Sequence, residues 1–131
     1  MQTTRNSIHA AKAPAAVGPY SHAVRYGGLL FLSGQTPIDP ETGEIVAGGI
    51  EAQTRQVFAN LKSVLTAAES NFDAVLKVNV YLTSLDDFSA MNAIYGEVFA
   101  EPYPARTTIA AACLPLGADV EIELVARDPL G

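Results

Sequence analysis

The chain has 131 residues, 49% of them hydrophobic and 17% charged, with 10 glycines and 8 prolines; this balance fits one globular domain over residues 1–131 and excludes fibrous or low-complexity architectures. Fourteen acids against eight scattered cations give a formal net charge of -6, so no basic stripe could follow a run of phosphates, and nucleic acid is not an expected partner. The single cysteine cannot close an internal disulfide, no segment approaches the ~18 apolar residues of a membrane span, and Met1 to Lys12 lacks the apolar stretch of a secretory signal. Together these features predict a cytoplasmic protein.

Turn-forming clusters at "APAAVGPY", "YGG", "PIDPETGE", "AGG", "EPYP" and "LPLGAD" divide the chain into short elements. "VRY" and "LLFLSG" read as a hairpin and "IVAGG" as a third short strand, with "IDPETGE" as the turn before it. From Glu51 to Ala68, apolar Val57, Phe58, Leu61, Val64, Leu65 and Ala68 recur at helical spacing, leaving Glu51, Gln53, Arg55, Asn60 and Lys62 on the polar side. "AVLKVNVYLT" then alternates. Leu76, Val78, Val80 and Leu82 share one face of this strand and Lys77, Asn79 and Tyr81 the other.

Ser84, three residues before Asp87, opens a second helix that carries Phe88, Met91, Ile94, Tyr95 and Val98 to about Phe99. "RTTIAAA" and "VEIELVAR" close the chain as strands, the latter pointing Val120, Ile122, Leu124 and Ala126 one way and Glu121, Glu123 and Val125 the other. The order βββαβαββ predicts an α+β two-layer sandwich, a mixed sheet with two helices on one face. The other face is left open, and self-association around a closed symmetry axis is the simplest way to cover it.

Two histidines and one cysteine offer no metal-ligating spacing, so no metal is expected. Cys113 lacks an activating base nearby and reads as a small buried thiol. Ser33, in "LSGQ", sits outside the nucleophile-elbow pattern and reads as a hydrogen-bonding residue at a strand end. Arg106 and Glu121 are the pair with chemical promise: they begin one closing strand and sit in the next, a placement expected to bring them to the same end of adjacent strands. An arginine fork matches a carboxylate and a glutamate can activate water, but an ion pair of Arg106 with Glu121 or Glu123 fits the same residues. Tyr20, Asn92 and Thr108 read singly as a core phenol, a surface amide and a strand hydroxyl.

As an ordered set, "GPY", "SGQ" followed by "DPETGE", "DDFSAMN", "PAR" and "VEIE" resemble the motifs of the RidA/YjgF reactive-intermediate deaminases, over about Ala13 to Arg127. The resemblance implies a chorismate-mutase-like fold, a homotrimer with clefts between subunits, and cofactor-independent hydrolysis of 2-imino acids and their enamine tautomers, such as 2-aminoacrylate, to 2-oxo acids and ammonia. It further implies that Arg106 clamps the substrate carboxylate and Glu121 orders the attacking water, while Tyr20, Ser33, Asn92 and Thr108 line the cleft. Thr108 stands where some members carry a cysteine, and Thr107 is polar where the motif is usually small or apolar. Two alternatives remain: a non-enzymatic trimer that binds small carboxylates, and an endoribonuclease or translation inhibitor, against which the acidic charge argues.

Overall fold

Among residues 4–131, which the computed structural model describes, six strands and two α-helices alternate along the chain. The first three residues, part of the stretch read above as lacking a secretory signal, lie outside this range. In chain order the elements are β1 (Asn6–Ile8), β2 (Ala23–Tyr26), β3 (Leu29–Gln35), α1 (Gly49–Ala67), β4 (Val75–Leu82), α2 (Phe88–Val98), β5 (Ala105–Ala110) and β6 (Val120–Arg127). They build one mixed sheet in the order β1-β2-β3-β6-β4-β5, antiparallel throughout except for the parallel β4–β5 pair. The α+β architecture is the one expected.

Alternation places the core. Val120, Ile122, Leu124 and Ala126 of β6 are buried against Val57, Leu61, Val64 and Leu65 of α1 and Met91, Ile94 and Tyr95 of α2, in one apolar cluster on the helical side of the sheet. Phe58, Phe72, Tyr95 and Phe99 close it with edge-on and tilted ring contacts. On the opposite face Tyr26, Phe31, Leu76 and Ile109 each keep close to half of their surface exposed, the uncovered layer the pattern anticipates.

Helix α1 ends in a Schellman motif, in which Ser70 N–H donates to Leu65 O and Glu69 N–H to Thr66 O, with Glu69 in the left-handed region at φ 62°. Between β4 and α2, Ser84 caps a short 3-10 turn, Leu85–Asp87, by accepting from Asp86 N–H, and this turn feeds directly into the helix.

Five expectations need correction. "IVAGG" is not a strand: Ile45 makes a single bridge to Ile38, and the third β element before α1 is instead the N-terminal β1. Leu76 faces solvent, because a bulge between Val75 and Lys77 shifts the register of β4 on β6 and puts Val75 inside. Gln53 and Asn60 are buried despite their polarity. Gln53 exchanges bonds with Asp119, and Asn60 donates to the carbonyls of Thr36 and Ile38, so both tie loops to the helix. Cys113 is exposed, since the chain leaves β5 at Ala110 and enters an irregular turn. Finally, β5 and β6 are not neighbours, because β4 lies between them.

Candidate functional site

That last difference decides how the site is built. In the β4–β5 register Arg106 pairs with Val78 and Thr108 with Val80, both fully buried on the helical side, so the side chains of Arg106 and Thr108 share that side. Glu121 pairs with Tyr81 on the opposite, open face. Within one chain, Arg106 and Glu121 are therefore two strands apart and on different faces of the sheet.

Around Arg106 the residues form a cationic half-site. Its Nη1 donates to Asn92 Oδ1 of α2 at 2.7 Å, and its guanidinium carbon lies 4.6 Å from the Tyr95 ring centroid and 5.5 Å from that of Phe88. Stacking on two ring faces fixes the plane of the fork while consuming few of its five N–H donors. Asn92, Tyr95, Gly96, Tyr103, Pro104 and Arg106 line an open groove of about 470 Å³. No carboxylate pairs with Arg106 among the described residues, so the ion pair with Glu121 or Glu123 does not form. The Tyr95 hydroxyl and Thr108 Oγ1 are buried here without a hydrogen-bond partner. Burial pushes the Tyr95 phenol up, and the Arg106 charge opposes that push.

On the open face Glu121 lies over the β3 segment that carries Ser33 and Gly34. Between Leu32 and Gln35 the register of β3 on β6 slips by one residue, and this bulge sets Gly34 beneath the Glu121 carboxylate. A Cβ at residue 34 would collide with Glu121 Oε2, so any larger residue there would push the carboxylate aside. Ser33 Oγ donates to Ser21 O at 2.7 Å, tying the end of the "GPYS" loop to the bulge, and Tyr20 in that loop is half-exposed rather than in the core. The loop's other anchor is buried His22, whose Nδ1 accepts from Ala10 N–H at 2.9 Å and whose Nε2–H donates to Pro14 O at 2.8 Å. Burial, and then the neighbouring charge of Glu123, raise the Glu121 carboxyl above the usual carboxylate range.

The structure thus sets Arg106, Asn92 and Thr108 on one side of the sheet and Glu121 over the Ser33–Gly34 bulge on the other, without uniting the two sets in one chain, and Tyr20 lies half-exposed in the loop tied to Ser33. Among the described residues no three His, Cys, Asp or Glu side chains gather where they could hold a metal ion. Among the described residues no helix is long and apolar enough to cross a membrane.

The family model described as Endoribonuclease L-PSP matches residues 10–128. The chain belongs to this family, that of the RidA-type deaminases. A RutC family protein of Pyrococcus horikoshii is 48% identical over 119 residues, covering 91% of this chain and 94% of the relative. A Capra hircus protein named 2-iminobutanoate/2-iminopropanoate deaminase is 43% identical over 122 residues, covering 93% and 89%. The crystal structure of RidA from an Antarctic Psychrobacter superposes with a TM-score of 0.89 at 45% identity, covering 93% of this chain and 98% of that one. Other similar proteins bear the words endoribonuclease or translation initiation inhibitor, and some are named chloroplastic or mitochondrial.

Within this family frame, sequence reasoning passed over Tyr95 and Gly34. Tyr95 falls at a core position of α2 and is buried, yet its ring face supports the arginine. Gly34 was the more legible of the two, since a glycine inside a strand marks a bulge or a close approach.

Proposed function

We propose that the protein is a hydrolytic deaminase of small 2-imino acids and their enamine tautomers, working as a homotrimer in which Arg106 of one copy faces Glu121 of the next. The observation that carries this reading is an arginine stacked on Tyr95, braced by Asn92 and without an acidic partner among the described residues, in a chain of net charge -6. Such a fork, open to a groove, suits a carboxylate that arrives from outside. The names of the deaminase relatives support the same chemistry. The cytoplasm is the compartment we infer, on the strength of the lone thiol.

In the proposed mechanism Arg106 binds the substrate carboxylate and so fixes the adjacent C=N carbon. Glu121 takes a proton from water as its oxygen adds to that carbon, and the proton passes to nitrogen. The resulting carbinolamine collapses with cleavage of the C–N bond, releasing ammonia and leaving the 2-oxo acid. One water is consumed and no electrons are exchanged. Thr108 and Tyr20 line the two sides of the shared cleft, with Ser33 holding the Tyr20 loop.

The test is a coupled assay in which a pyridoxal-phosphate-dependent dehydratase generates the imine and semicarbazide traps it. Faster 2-oxo acid release in the presence of the protein supports the reading. Binding of a 2-oxo acid with no acceleration would leave only a carboxylate-binding trimer, and cleavage of single-stranded RNA without imine turnover would overturn the reading altogether.

A further inference from the structure

We propose that Glu123 is a positioning residue: clamped by Tyr81 and Asn79, it holds its carboxylate in place beside Glu121 and governs how readily Glu121 takes up a proton. The inference rests on the role given to Glu121 above.

The placement follows from strand geometry. Glu121 and Glu123 are two residues apart on β6 and so share the open face, and the antiparallel register sets Tyr81 opposite Glu121 and Asn79 opposite Glu123. Tyr81 does not bond the carboxylate it faces. Its hydroxyl reaches diagonally to Glu123 Oε1, and Asn79 Nδ2 donates to the same oxygen at 3.4 Å. Both nearby donors are thus committed to Glu123, while Glu121, over the bare backbone of Gly34, receives neither.

The two acids consequently differ in kind. Glu123 holds two donors, Tyr81 and Asn79, whereas Glu121 has burial and a like charge that disfavour its ionised form. The other charged groups on this face are further along the strands: Lys77, opposite Val125, donates to Thr107 Oγ1 at 2.8 Å, and Arg127 stands opposite Leu29. β3 offers Ser33 and Gly34 against Glu121, and β5 offers Thr107 and Ile109 against Asn79 and Tyr81; none of these four ionises. In the proposed trimer the remaining charge is Arg106 of a second copy. Tyr81 reports the clamp directly, since the bond to Glu123, with burial next, pushes its phenol up to about 12.

The test compares the full-length wild type with Glu123→Gln and Glu123→Asp, following the ¹³C shift of the Glu121 carboxyl and the ultraviolet ionisation of Tyr81 against pH, together with the pH profile of imine turnover. Glu123→Gln should move the Glu121 transition and the acidic limb of kcat/KM to lower pH, and bring Tyr81 down from about 12. Glu123→Asp keeps the charge and should hold Glu121 close to its wild-type midpoint, which a purely packing role for Glu123 would not do. The same Glu121 titration in wild type and Glu123→Gln would overturn the proposal. So would a wild-type Tyr81 that ionises near the ordinary ~10 of a free phenol, a measurement that stands even if neither variant folds. Absence of imine turnover in the wild type would instead defeat the proposed function, while the two titrations still judge the pairing of Glu123 with Glu121.

Discussion

A guanidinium held flat against Tyr95 and braced by Asn92 is ready to accept a carboxylate without first ordering its own side chain. If it does so, Arg106→Ala should lower kcat/KM for an imino acid by about 2–5 kcal/mol in transition-state stabilisation, the range for removing one member of a desolvated charge pair. Steady-state kinetics with the corresponding imino amide supply the control. The amide should be a poor substrate for the wild type and lose little more in the variant, and Lys should rescue only in part because it keeps charge without the fork. Glu121 carries a different signature. Glu121→Gln should slow the chemical step by ~10²–10⁴-fold, as expected for loss of a general base, and yet make the protein more heat-stable at neutral pH. The sign follows from the raised carboxyl: the folded state holds the proton more tightly than the unfolded chain, so ionised Glu121 opposes folding above its folded-state pKa. That penalty fades as pH falls through the raised value and is gone below the ordinary ~4.3 of an unfolded glutamate. Melting temperatures of wild type and Glu121→Gln should therefore converge on acidification.

At the level of elements, α1 connects β3 to β4 along the chain and anchors the loops around it. Its Schellman turn forces Glu69 into the left-handed region, where a Cβ crowds the backbone. Glu69→Gly should raise stability by about 0.5–1 kcal/mol in urea unfolding, the relief of strain exceeding the extra freedom glycine gives the unfolded chain. Asn60→Ala should act in the opposite direction by about 1–3 kcal/mol, since it strands the carbonyls of Thr36 and Ile38. These two residues also mark what the sequence could and could not tell. Helical periodicity located α1 and α2 because a helix repeats its apolar face regardless of what packs on it. Asn60 and Gln53 looked like surface positions because their burial depends on loops that fold back from far along the chain. The bulges at Leu76 and at Ser33–Gly34 escaped strict alternation for a similar reason: an extra residue is registered only against the partner strand. Arg106 and Glu121 were identifiable as chemical residues, whereas their separation by β4 is a matter of strand order, which local pattern does not encode.

On the scale of the whole molecule, that separation becomes the argument for assembly. β5 is the terminal strand of the sheet, with one side paired to β4, and the open face beside it exposes Ile109 along with Phe31, Leu76 and Tyr26. An apolar face and a free strand edge favour association, and closed rotational symmetry would bring the arginine side of one copy toward the glutamate side of another. Sedimentation equilibrium should accordingly find a trimer at micromolar concentration, and a stable monomer would remove the shared cleft. A sharper test uses two dead variants. Arg106→Ala lacks the clamp and Glu121→Gln lacks the base, so each alone should be nearly inactive. In trimers formed by refolding an equal mixture, a cleft that joins Arg106 of one copy to Glu121 of the next is intact when the first comes from the Glu121→Gln chain and the second from the Arg106→Ala chain. Random assortment leaves about one quarter of clefts in that state, so about a quarter of wild-type activity should return. A site that used both residues of the same chain would recover nothing, because no chain in the mixture carries both. Measuring imine turnover across the mixing ratio should give a maximum at equal proportions, whereas a flat, inactive series would rule out a cleft that joins Arg106 of one copy to Glu121 of the next.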